Sequence, residues 1–228
     1  MHTTSLDRNE RVTPAPAAEP RPLLRGWIHA ATTPLALASA IVLIALAPTA
    51  AGKVASAIYG LTALSLFGCS ALYHRIRWSP RVKRILKRID HSNIMLLIAG
   101  TYTPLSWFLL PRTHAVILLS VVWAGALLGV GFRVFFTDAP RWLYVPVYCA
   151  LGLSCVVFLG DFFATDVAAA VLICVGGACY IAGAVVYGTK RPDPAPNIFG
   201  FHEIFHAFTV AGFTTHLVAV FLAVLAVR

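Results

Sequence analysis

The sequence predicts an all-α protein: a bundle of seven transmembrane helices with a cytoplasmic N-terminus and the C-terminus outside. Three observations carry this. Of the 228 residues, 59% are hydrophobic and only 12% charged, against the ~25% charge of an ordinary soluble domain. Past residue 25 the apolar residues gather into seven stretches, each close to the ~20 residues that cross a bilayer core. The basic residues fall almost entirely on alternate connections, the bias that orients membrane helices.

The first 25 residues, MHTTSLDRNERVTPAPAAEPRPLLR, are rich in Pro, Ala and Arg and are expected to form a disordered cytoplasmic tail. They lack the basic start running directly into an apolar core that marks a secretory signal. The membrane domain, 26–228, follows, with stretches at about 27–48, 54–74, 91–110, 114–135, 142–162, 166–188 and 199–227. The first carries His29 near its inner end. The second closes on CSALYHR and the third opens on IDHSNIMLL. The fourth begins with His114 on the outer side. The fourth, fifth and sixth are rich in Gly, Ala and Ser, which lets helices approach closely in lipid. The seventh begins GFHEIFH. Connections are short except the second, RIRWSPRVKRILKRID, at 75–90. No soluble domain and no internal repeat is evident.

With the N-terminus inside, the tail carries four Lys or Arg, the second connection seven, and the fourth and sixth two each (Arg133 and Arg141, Lys190 and Arg191). Fifteen therefore lie inside and three, Lys53, Arg112 and Arg228, outside. The formal net charge of +9 is thus a topology device that also meets anionic headgroups. It does not point to nucleic acid, because no basic fold with stacking aromatics remains once the helices are set aside. The five cysteines all lie in apolar runs without metal-binding spacing and read as small buried apolar side chains.

Ionisable groups inside membrane helices are costly, so each one raises a functional question. Ser70 and His74 stand four apart at the end of helix 2, Asp90 and His91 at the entrance of helix 3, and His202, Glu203 and His206 at the start of helix 7. In the topology above, all of these share one depth near the cytoplasmic side. His202 and His206 are one turn apart and His74 can close a set of three. That is the ligand number with which catalytic Zn²⁺ sites keep a fourth position for water. Asp90 also has a plain structural reading as a cap of helix 3. His29 and His114 read as interfacial. His216 is ten residues beyond His206, about 15 Å along a helix, too far for the same ion.

His202-Glu203-Ile204-Phe205-His206 also matches the H-E-x-x-H pattern of metalloproteases, in which the Glu is the general base. The extended form of that pattern requires a Gly and a His further on. Here Thr209 and Gly212 occupy those positions, and no Asp or Glu follows Glu203. A third ligand has to come from upstream, where Ser70, His74 and Asp90 lie.

Ser70-x-x-x-His74, then Asp90, then His202-x-x-x-His206 on the last of seven helices resembles the hemolysin III family. That family is related to the progestin and adiponectin-receptor proteins and, more distantly, to alkaline ceramidases. Supporting runs are ALYHR (71–75), IDHSNIMLLIAGTYTP (89–104) and FHEIFH (201–206). The resemblance covers roughly 25–228 and implies seven helices, a cytoplasmic N-terminus and a plasma or inner membrane location. It also implies zinc held by His74, His202 and His206, with Asp90 and Ser70 near the bound water. The Glu203 position is not always acidic in relatives, which weakens its claim to be a base.

The leading functional expectation is a zinc-dependent lipid hydrolase, an amidase acting on ceramide-like or other acyl-amide lipids. Zinc would activate water and polarise the carbonyl. Asp90 would orient the water or take its proton, and Ser70 would donate a hydrogen bond to the water or the oxyanion. The alternative is a membrane-active, haemolytic or membrane-homeostasis protein whose zinc is structural. A receptor-like sensor ranks third, because the short outer loops offer little surface to a protein ligand.

Overall fold

A chain that is apolar over such lengths has to satisfy its backbone internally, and helices do so without help from neighbours. The structure, a computed structural model, describes residues 22–227. The expected tail lies outside the described residues up to position 21, as does Arg228. Among the described residues there are eight α-helices and one 3-10 turn, and no strand beyond an isolated bridge between Ala195 and Phe199. α1 spans Trp27–Leu46, α2 Ala50–Arg75, α3 Pro80–Leu109 and α4 Arg112–Phe135. α5 (Arg141–Gly152) and α6 (Leu159–Thr165) are joined end to end by the 3-10 turn Leu153–Phe158. α7 (Val167–Thr189) and α8 (Phe201–Ala226) complete the bundle.

Local chemistry marks several helix starts. The Thr49 hydroxyl accepts the Gly52 N–H at 3.1 Å ahead of α2, and an Asp166 oxygen accepts the Ala169 N–H at 2.9 Å ahead of α7. Both satisfy donors that a first turn leaves open. Pro80 opens α3, where its missing N–H costs nothing.

The rods of α1, α2, α4, α5–α6, α7 and α8 are each long and apolar enough to cross a membrane. α3 is long enough but carries buried Ser92, Asn93, Thr101, Thr103 and Ser106 along its middle. Its position explains this. α3 packs on α2, α4, α5 and α8, so it meets protein where the other helices meet lipid, and Asn93, Thr101 and Thr103 find partners there while the Ser92 and Ser106 hydroxyls have none among the described residues. The Asn93 amide donates to the Ser65 carbonyl and accepts from the Ser65 hydroxyl, both at 2.9 Å. The Trp123 indole donates to Thr103 at 3.1 Å. Side chains such as Leu61, Leu128 and Val157 point outward and are exposed, forming an apolar belt.

Two boundaries differ from the sequence reading. Residues 75–90 read as a connection, yet α3 starts at Pro80. The run RVKRILKR is made of good helix formers after a helix-starting Pro, so α3 extends beyond its apolar part and carries Arg81, Lys83, Arg84, Lys87 and Arg88 with it. The stretch 142–162 reads as one helix but tightens into the 3-10 turn just after Gly152, a weak helix former.

The core runs through the centre of the bundle. Tyr59 and Phe67 of α2 meet Phe213 of α8, with ring centroids 5.7 and 4.9 Å apart. α1 packs along α2 and reaches α8, while α7 and α8 form the most extensive pair. α2 therefore ends, and α1, α3 and α8 begin, at one end of the bundle.

Candidate metal centre

At that end the spacing of four residues puts Ser70 and His74 on one face of α2 and His202 and His206 on one face of α8. The nearest ring nitrogens of His74, His202 and His206 all lie within 4.8 Å of one another. The Nε2 atoms of His74 and His202 are 3.2 Å apart. Nitrogens held at ~2.1 Å around one tetrahedral ion stand about 3.4 Å apart, so this spacing suits a shared ion. The ring centroids of His202 and His206 are 4.5 Å apart, and that of His74 is 4.8 Å from the first and 5.2 Å from the second. The donor set, three imidazoles in a largely buried pocket, could hold a metal ion.

Asp90 reaches the same pocket from α3. Its Oδ2 is 3.9 Å from His74 Nε2 and 4.0 Å from His91 Nδ1. Ser70, buried one turn before His74 on α2, lies within reach of the Asp90 carboxyl. Asp90 does not cap its helix, because the N-cap of α3 is Ser79, three turns earlier. The five residues that the sequence reading assigned to a zinc site, Ser70, His74, Asp90, His202 and His206, thus lie together.

Glu203 faces different partners. One oxygen pairs with the Arg25 guanidinium and the other accepts the Gly200 N–H at 2.9 Å. It is fully buried and serves α8's first turn, where a carboxylate also suits the helix dipole. The segment carrying Arg25 is tied down as well. The Leu23 and Leu24 N–H groups donate to the carbonyls of Asn197 and Ile198 at 3.0 and 3.2 Å. Gly26 follows at φ 80°, and a Cβ on it would stand 2.8 Å from the Cβ of His74. Only glycine combines that left-handed backbone with so close an approach.

Sequence reasoning missed two participants, His29 and Arg25. His29, read as interfacial, is buried and stacks on His206 with centroids 3.8 Å apart and planes at 13°. Its depth, level with the other histidines, was the available signal. Arg25, read as the end of the tail, is the partner of Glu203. His91 sits behind Asp90. Its Nδ1 donates to the Lys87 carbonyl at 2.7 Å, leaving Nε2 to face the Tyr187 hydroxyl at 3.5 Å. His114 and His216 lie elsewhere, paired with Asp161 (2.7 Å) and with the Ile173 carbonyl (3.0 Å).

An all-helical multi-pass membrane bundle with a buried cluster of three histidines and an aspartate is the class that fold and site define. Residues 18–217 match the family model described as Haemolysin-III related, and the chain belongs to this family. It is 35% identical over 156 residues to the Hemolysin-3 homolog of Bacillus subtilis (strain 168), covering 68% of this chain and 70% of that protein. It is 31% identical over 166 residues to Hemolysin-3 of Bacillus cereus, covering 72% of each. A more distant relative is the heptahelical transmembrane protein ADIPOR2 of Oryza sativa subsp. japonica, 29% identical over 180 residues, covering 72% of this chain and 79% of that one. The rice protein carries the family's kinship with the progestin and adiponectin-receptor group. The protein is accordingly a multi-pass protein of the cell membrane.

Proposed function

We propose that this chain is a zinc-dependent hydrolase of acyl-amide bonds in membrane lipids, ceramidase-like in chemistry. In this reading its seven rods all span the bilayer and the histidine end faces the cytoplasm. The observation that carries it is the convergence of three histidines with Asp90, 3.9 Å from His74, and Ser70 behind Asp90. His74, His202 and His206 would hold Zn²⁺, which when bound supplies a Lewis acid and a water of lowered pKa. Asp90, the only carboxylate among the described residues within 4 Å of a ligand histidine, takes the proton of the attacking water. Ser70 holds the Asp90 carboxyl in orientation. A positioned base of this kind contributes ~10²–10⁴ in rate. The orientation rests on the fifteen-to-three distribution of basic residues.

Lipid access has a structural counterpart. A cleft with a cavity volume of about 130 Å³ lies between α5 and α7, with Val145, Cys149 and Leu153 on one wall and Gly177, Ile181 and Ala184 on the other. Its lining is almost wholly apolar, which suits an acyl chain entering sideways. Tyr187 and Phe205 stand at its inner end. None of the three ligand histidines lines the cleft; the Tyr187 ring, 5.9 Å from that of His202, stands between its inner end and the site.

The test is turnover of a fluorescent acyl-amide lipid by wild type and Asp90→Ala, with zinc measured in both and lipidomics of the two strains alongside. Loss of product by at least ~100-fold with zinc retained is expected; unchanged turnover refutes the reading. The names of the Bacillus relatives favour a second reading, a membrane-active protein with structural zinc. In that case His206→Ala abolishes membrane activity and Asp90→Ala leaves it intact.

A further inference from the structure

His29 is the group in this pocket whose chemistry is unaccounted for. It sits in the first turn of α1, 2% exposed, stacked on His206 and edge-on to Phe67 at 5.1 Å. Neither of its ring nitrogens has a hydrogen-bond partner among the described residues. Packing alone does not call for an imidazole here. A phenyl ring would stack on His206 and meet Phe67 without burying a donor and an acceptor, and buried polar atoms are nearly always paired, with protein, water or an ion. The placement is also enforced. The start of α1 is held by the Arg25–Glu203 pair, by the Leu23 and Leu24 backbone bonds and by Gly26 against His74.

A ring lying flat on a ligand ring holds its own nitrogens one ring-thickness to the side. That is too far to bind the same ion, and His29 is not among the residues whose nitrogens converge. A nitrogen beside the ligand set rather than in it would be able to hydrogen-bond a water in the ion's open position, the position that three-ligand zinc sites keep free. We infer that His29 is a fourth functional histidine of this centre: its ring nitrogen holds the water, or the substrate oxygen that replaces it, on the open side of the ion. Neutral imidazole offers one donor and one acceptor, so His29 can pair with that oxygen whether or not it carries the proton that Asp90 removes. The inference rests on the zinc reading of His74, His202 and His206. It makes α1 a contributor to the site alongside α2, α3 and α8.

The test uses the purified full-length protein in detergent or nanodiscs. Zinc affinity is measured by competition with a chelator, cobalt-substituted protein is examined by visible absorption, and unfolding temperature is recorded with and without metal. His29→Phe keeps the stack and removes the nitrogens. It is expected to leave the metal-free protein as stable as wild type and to keep the four-coordinate cobalt spectrum. It should weaken zinc binding by about 10–100-fold, as loss of an outer partner commonly does. His29→Asn and His29→Gln place an amide near the lost Nδ1 or Nε2, and one of them should return affinity to within about threefold of wild type. Unchanged affinity in His29→Phe overturns the inference, as does failure of both amide variants to restore it. Loss of the four-coordinate cobalt spectrum in His29→Phe overturns it too, by making His29 a direct ligand. Wild-type protein that binds no zinc defeats the underlying site reading instead, a result these arms keep distinct.

Discussion

Glu203→Gln separates the protease-like reading of H-E-x-x-H, with Glu203 as base, from the reading in which Asp90 is the base. The Glu203 side chain is 1% exposed, and its two oxygens are both engaged. One takes the Arg25 guanidinium and the other the Gly200 N–H at 2.9 Å. Glutamine has a single oxygen, so it keeps one of these bonds and turns an NH₂ toward the other donor. A hydrogen bond to a charged group contributes ~1.5–3 kcal/mol. Arg25, 24% exposed, regains part of its loss in water. The net destabilisation should be about 2 kcal/mol, or roughly 4–8 °C in unfolding temperature for a chain of this size. Zinc content should not change, and turnover of an acyl-amide lipid should stay within about tenfold of wild type, short of the ~10²–10⁴ that a lost general base removes. The assay pairs a thermal melt in detergent with metal analysis and single-substrate kinetics. A Glu203→Gln protein that melts like wild type, holds full zinc and has lost turnover would refute the reasoning and make Glu203 the base.

The zinc reading predicts about one ion per chain in the purified protein, falling below about a tenth of an ion in His206→Ala or His74→Ala; metal analysis showing full content in either variant removes the site. The topology predicts that reporters fused at the N-terminus and in the 76–79 linker read cytoplasmic while a C-terminal phosphatase fusion is active. An inactive C-terminal phosphatase with an active cytoplasmic reporter there reverses the orientation and moves the centre to the other face.

The helices were legible because lipid imposes a length and a composition on each span, and the sequence meets both in six of the seven rods. The seventh shows how the same signal weakens. α3 is surrounded by protein, so Asn93, Thr103 and Ser106 replace apolar side chains and hydropathy falls where burial is deepest. The start of α3 was missed because hydropathy marks where lipid begins, and a helix can run past it. Charge in RVKRILKR reads as a connection and folds as about two turns of helix, exposed over their first five residues. In the site, His74, Asp90, His202 and His206 were found from spacing within helices and shared depth between them. His29 and Arg25 were not, because neither belongs to a spaced pair. Their roles come from how α1 packs between α2 and α8, which no local pattern encodes.

That packing also explains why the centre lies where it does. Consecutive helices α1 to α4 pack side by side, and α7 packs on α8, so the bundle has to close where its last helix meets its first ones. α2 and α8 touch midway through Tyr59, Phe67 and Phe213, and at their ends through His74 and His202. A metal ion bound there would tie residues 128 positions apart in sequence, across the seam that the chain's own connections leave open. Metal ligation adds stability when it restrains segments otherwise free to separate. A lipid hydrolase needs a centre that is dry enough to strengthen its electrostatics and still reachable from the bilayer. In the proposed reading, α1 and the Arg25–Glu203 clasp would keep the seam dry on one side, and the cleft between α5 and α7, which has Tyr187 in common with the surroundings of His202, would be the lipid's approach on the other.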